Sequence, residues 1–332
     1  MIESINHCIL LKFPQTECDL SCSYCYVHRN KKTGSSLFFQ DCTPELIAGA
    51  LAPEKMGFRT FFYAYSDGEP LLHEENIKML ASLASSGHAV AVTTNLNCID
   101  PASLSSFFSL EARHRMLFFA SLHYLELRRR NRLSRFFETL HQLREEGFSY
   151  RIRLCLAPEY LSLMEEIDAV CFQQTDQLPL LTRWRSGDGK KVDMRALDRI
   201  GNRSPVYQLQ RRYADEKRSE FCHAGEKTCL LDLGSGEFRA CVAELVLGRL
   251  DPGSPDALLP FPSAPVGCKC HARWCMCCSH LFPWGVISEL YPGSYGELFF
   301  SDYSNSIHPD LLAVLSRRPT QTLQPAREEE GI

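Results

Sequence analysis

Three cysteines near the start of the sequence have the spacing of a metal site. Cys18, Cys22 and Cys25 lie four and three positions apart in Cys18-Asp-Leu-Ser-Cys22-Ser-Tyr24-Cys25. Structural zinc sites normally use four Cys or His ligands, commonly as two separated Cys-x-x-Cys pairs. A compact triplet leaves one ligand position open. It therefore favours an iron–sulfur cluster in which one iron binds an exogenous nitrogen or oxygen ligand.

This triplet resembles the cluster-binding motif of the radical S-adenosylmethionine (SAM) superfamily, in which an aromatic residue also precedes the third cysteine. The resemblance implies that Cys18, Cys22 and Cys25 bind a 4Fe-4S cluster and that Tyr24 packs beside the adenine of SAM. It also implies that the methionine amino and carboxylate groups of SAM chelate the fourth iron. An electron from the cluster would then cleave SAM to a 5′-deoxyadenosyl radical, which abstracts a hydrogen atom from an unactivated carbon.

A second motif, Ser66-Asp67-Gly68-Glu69-Pro70, follows the second predicted strand and resembles the Gly-Gly-Glu-Pro motif of the same family. In the family, the backbone of this motif binds the SAM amino group. The resemblance therefore implies that Asp67, Gly68, Glu69 and Pro70 bind the cofactor. Asp67 replaces the first glycine and places a carboxylate beside the sulfonium of SAM. An ordinary Asp-Gly turn at a strand end is the alternative interpretation.

Later strand ends carry weaker signals. Asn95 ends the third predicted strand and Ser121 ends the fourth, and the resemblance implies that both contact the cofactor, Ser121 at the ribose. Arg153 on the fifth strand could meet the SAM carboxylate or face the solvent. Five arginines open the helix after strand four: Arg128, Arg129, Arg130, Arg132 and Arg135. A solvated helix face is the simpler interpretation of this run, and recognition of an anionic substrate group is the alternative.

Another cysteine group occupies the last third of the chain. Cys222 and Cys229 precede a short apolar strand, a Gly-Ser-Gly turn and a returning strand that ends at Cys241, which predicts a β-hairpin. The tight turn predicts that these three thiols converge at one end of the hairpin. The spacing of Cys222, Gly236 and Cys241 resembles the first half of the SPASM/twitch extension of radical SAM enzymes. The resemblance implies one or two auxiliary 4Fe-4S clusters.

The second half of this extension would be a dense array made of Cys268, Cys270, Cys275, Cys277 and Cys278. Its spacing is more compressed than the family pattern, so the ligand assignment and the number of clusters stay open. Adjacent Cys277 and Cys278 can hardly serve one cluster without strain, which favours one cluster with spare thiols. A zinc ribbon is the alternative for this region. The five isolated cysteines elsewhere are expected to be small buried hydrophobic residues.

The elements that must position these motifs alternate between strands and helices up to about Trp184. Strands are predicted at 8–13, 60–65, 89–93, 116–121, 150–157 and 178–182. Helices are predicted at 44–52, 73–86, 101–110, 133–146 and 160–172. Six βα units are too few for a closed eight-stranded barrel. We therefore expect an α/β fold, a partial (β/α)6 radical SAM barrel with its site at the C-terminal ends of the strands, followed by a small Cys-rich β-hairpin domain.

The predicted organisation has four parts. Residues 1–184 form the barrel, 185–221 a charged connector of one or two exposed helices, and 222–300 the auxiliary-cluster domain. A short helical run is expected at 311–317. Residues 319–332 have the composition of a disordered tail.

Composition excludes several classes of protein. Lys and Arg number 36 against 40 Asp and Glu, so the net charge is −4 and the phosphate-neutralising field of a typical nucleic-acid binder is missing. No apolar run approaches the ~18 residues that span a bilayer, and no secretory signal is evident. We therefore predict a cytoplasmic protein without nucleic-acid or membrane partners. In a reducing compartment, 16 cysteines indicate metal binding rather than disulfides.

The sequence thus predicts a radical SAM enzyme that abstracts hydrogen from a small-molecule substrate, sugar-like or amino-acid-like, with reduction by an electron donor such as flavodoxin or ferredoxin. Only 17 residues precede Cys18, which disfavours an N-terminal peptide-recognition domain. Peptide maturation is the alternative substrate chemistry. A non-catalytic zinc or iron–sulfur protein with a structural or regulatory role is the alternative of another class. No catalytic acid or base is assigned.

Overall fold

A single mixed sheet organises the chain in a computed structural model that describes residues 5–25, 42–184, 194–215, 220–241, 245–253, 265–267, 279–301 and 303–318. The sheet has nine strands in the order β6-β5-β4-β3-β2-β1-β7-β8-β9 across these residues. The predicted tail at 319–332 lies outside the described ranges.

The first six strands are parallel neighbours in chain order, with helices between them. They are β1 (Cys8–Phe13), β2 (Phe61–Ser66), β3 (Ala89–Thr94), β4 (Met116–Ser121), β5 (Ser149–Leu156) and β6 (Leu180–Arg183). Each lies within two residues of its predicted bounds, so the expected α/β partial barrel is confirmed. The C-terminal ends of all six strands meet along one edge of the sheet.

The predicted hairpin is also present, but it continues the barrel sheet. Strand β7 (Thr228–Asp232) pairs in parallel with β1, so that Cys8 lies opposite Thr228. Strands β8 (Glu237–Arg239) and β9 (Val246–Arg249) then add antiparallel to β7. The predicted boundary at residue 222 is therefore not a boundary between two sheets.

The helices of the barrel precede or follow its strands: α1 (Pro44–Ala50), α2 (Pro53–Met56), α3 (Glu74–Ser85), α4 (Pro101–Ser105), α5 (Leu110–Arg113), α6 (Tyr124–Arg129), α7 (Leu133–Glu145) and α8 (Met164–Thr175). The predicted helix at 101–110 is two helices, because the Ser109 side chain accepts a hydrogen bond from the Ala112 backbone and starts α5. The helix predicted from residue 160 begins as a 3-10 turn, Pro158–Leu163.

Alternation along the strands creates two cores, one on each face of the sheet. Residues such as Ile9, Phe62 and Phe118 pack under the helices on the outer face. Their neighbours Leu10, Phe61 and Phe119 face inward. The C-terminal segment covers this inner face with a 3-10 turn (Ser279–Trp284), α11 (Tyr295–Phe300) and α12 (Pro309–Leu315). The apolar part of the barrel interior is thus filled by the chain itself.

The described part of the charged connector contains the expected helices, α9 (Met194–Gly201) and α10 (Pro205–Asp215). The expectation that they are exposed is wrong for α10. Val206, Leu209 and Tyr213 are buried in the inner core, because an amphipathic helix can carry many charges on one face and still pack through the other. In the described ranges, every helix is too short or too polar to cross a lipid bilayer.

Candidate functional site

The loop after β1 carries the cysteine triplet, and the loops after the next three strands hold it. Asp19 contacts the end of β3, Glu17 contacts the loop after β2, and Ser21 and Tyr24 contact residues that follow β4. The Cys25 backbone N–H also donates to the Cys22 carbonyl oxygen at 3.1 Å, which forms a turn within the triplet. The predicted site therefore lies at the C-terminal edge of the sheet.

Gly68 allows the loops after β1 and β2 to approach each other at backbone distance. A Cβ atom at this position would lie 2.1 Å from the Glu17 carbonyl oxygen, far inside van der Waals contact. The next residue, Glu69, donates its backbone N–H to the same oxygen at 2.7 Å. The glycine of the second motif is therefore required by close packing against the residue before Cys18.

The buried Glu69 carboxylate joins the ends of β2 and β3. It accepts hydrogen bonds from the Thr94 hydroxyl at 2.7 Å, the Asn95 backbone N–H at 2.7 Å and the Leu71 backbone N–H at 3.1 Å. Burial raises the pKa of Glu69 to about 7 and outweighs these three donors, which favour the carboxylate. The Glu69 side chain is thus used within the protein.

Asp19, between Cys18 and Cys22, is held by amide side chains from the end of β3. Its carboxylate accepts from Asn95 Nδ2 at 2.8 Å and from Asn97 Nδ2. Asn95 Nδ2 also lies 3.7 Å from Cys18 Sγ. The predicted cofactor residue Asn95 is therefore beside the triplet, and its amide orients the cysteine loop.

Glu126 on α6 holds the middle of the cysteine loop. One carboxylate oxygen accepts from the Ser21 backbone N–H at 3.3 Å, and the Arg129 and Arg130 guanidinium groups bond the same carboxylate. Hydrogen bonds from Arg129 and Arg130 lower the pKa of Glu126 to about 2, although burial opposes this. Arg130 also donates to the Asp19 carbonyl oxygen at 2.6 Å. The interpretation of this run as a solvated helix face therefore fits the exposed Arg129 but not Arg130, which contacts the cysteine loop.

Cys22 is the most buried thiol of the triplet and belongs to a polar cluster. His123 Nδ1 lies 3.3 Å from Cys22 Sγ and 2.7 Å from the Tyr24 hydroxyl oxygen, which also accepts from the Tyr160 hydroxyl at 3.0 Å. Burial raises the pKa of Cys22 to about 12 and of Cys18 to about 11, and it lowers the pKa of His123 to about 4. Ionised thiols here need a compensating cation.

Asp67 is partly balanced by a cation from the neighbouring strand. Lys12 Nζ lies 3.5 Å from Asp67 Oδ2 and 3.9 Å from Asp232 Oδ2. Both ion pairs are partly exposed, so their energies are small. The carboxylate that replaces the first glycine of the second motif therefore does not stand alone beside the site.

The inner face of the sheet is polar near the C-terminal ends of its strands. Arg153 donates to the Tyr63 hydroxyl at 2.7 Å and to Thr93 Oγ1 at 3.2 Å, and its guanidinium lies 3.4 Å from His280 Nε2. The solvent-facing alternative for Arg153 is therefore wrong. Ser121, half-buried, lies opposite Arg153 in the parallel register and shares this edge of the sheet.

The hairpin cysteines do not all meet. Cys222 and Cys241 belong to the inner core, whereas Cys229 lies opposite Ile9 and belongs to the outer core. The predicted convergence of three thiols is therefore wrong for Cys229, because alternate residues of a strand point to opposite faces. The Cys222 backbone pairs with that of Gly267. Cys268, Cys270, Cys275, Cys277 and Cys278 lie outside the described residues.

The donor set of the triplet fits a thiolate-ligated iron–sulfur group. Soft thiolates suit such clusters. Hydrogen-bond donors lie near two of the three sulfurs, Asn95 Nδ2 at Cys18 and the Tyr24–His123 pair at Cys22. Cys25 also lies close enough to Cys18 and Cys22 to raise the pKa of both thiols. Within the described ranges, no three His, Cys, Asp or Glu side chains are grouped for a single metal ion.

Sequence reasoning missed the residues that hold this loop. His123, Tyr160, Asp19 and Glu126 carry no motif of their own. His123 follows Ser121 at the end of β4 by two residues, and this position at a strand end was the available signal.

Comparison with solved structures identifies the fold. The hexahistidine-tagged form of anSMEcpe with bound AdoMet matches with a TM-score of 0.51 at 14% identity, over 73% of this chain and 74% of that one. Streptococcus suis SuiB bound to S-adenosylmethionine gives 0.48 at 16% identity, over 72% of this chain. BtrN in complex with AdoMet and 2-DOIA gives 0.34 at 11% identity, over 75% of this chain and 79% of that one. The match spans only 59% of the length of SuiB.

Neither protein-family models nor curated protein sequences gave a match. The fold assignment therefore depends on the structural comparison and on the strand order. Each of the three solved proteins has S-adenosylmethionine bound. The fold of this chain is that of the radical SAM enzymes.

Proposed function

We propose that the chain is a radical SAM enzyme in which Cys18, Cys22 and Cys25 bind a 4Fe-4S cluster. The observation that carries the proposal is the anchoring of one three-cysteine loop by the ends of three successive parallel strands. Ligands bind at this edge of parallel α/β sheets. When bound, the cluster would supply the electron that cleaves SAM and yields a hydrogen-abstracting radical.

The residues of this chain position the cofactor in two ways. The backbone from Asp67 to Pro70 is proposed to bind the SAM amino group, since the Glu69 carboxylate is already used by three donors. Tyr24, Asn95 and Ser121 are proposed to line the remainder of the cofactor site. Asn95 also keeps the cysteine loop in place through Asp19.

The substrate is proposed to be a small, polar molecule, sugar-like or amino-acid-like. The inner-facing residues at the strand ends support this, because Lys12, Thr93, Ser121, Arg153 and Asp232 are all polar and only partly buried. Below them, the C-terminal segment fills the apolar interior. A peptide substrate is the alternative. Reduction is proposed to come from a one-electron carrier such as flavodoxin or ferredoxin.

An auxiliary 4Fe-4S cluster is proposed for the region that begins at Cys222. Cys222 and Cys241 share the inner core. The later cysteines, Cys268, Cys270, Cys275, Cys277 and Cys278, would supply the other ligands. Cys229 is left out because it lies on the opposite face of the sheet.

Metal content after anaerobic reconstitution tests the proposal against the zinc alternative. Wild-type protein is expected to be brown, with about eight irons for one auxiliary cluster or about twelve for two. Replacement of Cys18, Cys22 and Cys25 by Ala should remove about four irons. Cys229→Ala is the matched control and should remove none. A colourless protein that binds zinc in place of iron would overturn the proposal.

A further inference from the structure

A chain of hydrogen bonds ends at the sulfur of one proposed cluster ligand. Tyr160 lies in the outer core and is fully buried. Its hydroxyl donates to the Tyr24 hydroxyl oxygen at 3.0 Å, and His123 Nδ1 lies 2.7 Å from that same oxygen. Cys22 Sγ lies 3.3 Å from His123 Nδ1, and the Tyr24 hydroxyl is close enough to Cys22 to lower the pKa of its thiol. Tyr24, His123 and Cys22 thus form a closed triangle.

The number of hydrogens available among Tyr24, His123 and Cys22 limits which hydrogen bonds can form together. A Cys22 thiolate that ligates iron can only accept a hydrogen bond, and Tyr24 and His123 are the polar side chains beside its sulfur. If Nδ1 lacks a hydrogen, it competes with the sulfur for the single Tyr24 hydroxyl hydrogen. If Nδ1 carries the hydrogen, it donates to the Tyr24 oxygen or the sulfur, and the Tyr24 hydrogen is free to point at Cys22. In the second arrangement His123 Nδ1, the Tyr24 hydroxyl and the Cys22 sulfur each have a partner.

Reduction of an iron–sulfur cluster adds negative charge. A hydrogen bond to a ligand sulfur is stronger in the reduced state, so it makes reduction more favourable. Each hydrogen bond in this series polarises the next. The bond from Tyr24 to Cys22 is therefore stronger when Tyr24 also accepts a hydrogen bond from Tyr160 or His123. The group that fixes the direction of the Tyr24 hydroxyl therefore affects the cluster through the Cys22 sulfur, which His123 Nδ1 also approaches to 3.3 Å.

We propose that His123, as its Nδ1–H tautomer, is a positioning residue that directs the Tyr24 hydroxyl hydrogen to the Cys22 sulfur and raises the reduction potential of the cluster. This inference rests on the proposed function, since it requires a cluster at the cysteine triplet. It adds a determinant of the reducing power of the site that the cysteine motif does not contain.

The test is an EPR-monitored redox titration of reconstituted full-length protein without SAM. Subtraction of the spectrum of the Cys18, Cys22 and Cys25 triple-Ala variant isolates the signal of the triplet. His123→Ala is expected to lower the equilibrium constant for one-electron reduction about tenfold, which is a shift of about 59 mV to more negative potential. His123→Asn can place an amide N–H where Nδ1–H lies and should recover most of the loss.

Two further variants keep the test decisive. Tyr160→Phe removes only the distal donor and should shift the potential in the same direction by about twofold to threefold in the equilibrium constant. His88→Ala is the matched control, because His88 is equally hydrogen-bonded but lies away from the loop, between Thr60 and Leu51. It should leave the potential unchanged.

The outcomes separate the inference from the proposed function. An unchanged potential in both His123→Ala and Tyr160→Phe overturns the inference while the cluster assignment stands. An equal shift in His88→Ala also overturns it, since the effect would then be a general loss of packing. If no signal disappears in the triple-Ala variant, the proposed function fails and the inference fails with it.

Discussion

Replacement of Gly68 by alanine perturbs the contact between the cysteine loop and the loop after β2. The new Cβ atom would lie 2.1 Å from the Glu17 carbonyl oxygen and 2.6 Å from the Thr16 carbonyl carbon. Real Cβ atoms essentially never approach within 3.0 Å. The neighbours are backbone and cannot rotate away, so the two loops must separate by about 0.9 Å.

The expected cost follows from two terms. Forcing a methyl group into a packed site typically costs about 1–3 kcal/mol. Separation also weakens the hydrogen bond from the Glu69 N–H to the Glu17 oxygen, worth about 0.5–1.5 kcal/mol. The free energy of unfolding should therefore fall by about 2–4 kcal/mol. Cys18 adjoins Glu17, so iron binding at the triplet should fall as well.

Urea unfolding and iron content measure the two effects. The matched control is Gly49→Ala in α1, where a Cβ would meet no atom within 4 Å. This control should be neutral or more stable by up to about 1 kcal/mol, because alanine favours a helix over glycine. If Gly68→Ala unfolds with the same free energy as the wild type and binds as much iron, the close approach does not hold the loop.

Three further outcomes are expected. Asp67→Gly should leave the SAM dissociation constant, measured by calorimetry, within about tenfold of wild type because Lys12 already balances this carboxylate; a larger loss would make Asp67 a ligand. Between pH 7 and pH 5 the free energy of unfolding should fall by about 2 kcal/mol through His88, because burial lowers its folded pKa to about 4 and the unfolded state binds the proton first. If the free energy of unfolding of His88→Gln falls with pH as steeply as that of the wild type, this prediction is contradicted. Glu126→Ala should lower the urea stability by about 1–3 kcal/mol by leaving the Ser21 N–H without its acceptor, and Glu126→Gln should lower it less; equal stability of all three proteins would refute this role.

Local sequence pattern was sufficient to predict the six parallel strands β1 to β6. Strands β1 and β4 are short runs in which all residues but one are apolar, and their bounds were predicted without error. Gly87 and Gly147 have positive φ and follow the ends of α3 and α7, within two residues of the predicted helix ends at 86 and 146. These features depend on neighbours in the chain and are visible in a single sequence.

Features that depend on distant contacts could not be predicted. The break between α4 and α5 depends on a single serine cap, and the burial of α10 depends on a partner segment almost 70 residues later. Cys229 is separated from Cys222 and Cys241 by strand alternation, which overrides their proximity in the sequence. His123 joins the site only because parallel β4 ends beside the cysteine loop.

The role of the cysteine triplet is tested by formation of 5′-deoxyadenosine from SAM under dithionite, measured by chromatography on anaerobically reconstituted protein. Product is expected with the wild type and with Cys229→Ala. None is expected with the variant in which Cys18, Cys22 and Cys25 are all replaced by Ala, although auxiliary iron should remain bound. Undiminished SAM cleavage in that triple variant, or none in a wild type that carries its full iron, would contradict the assignment of the triplet.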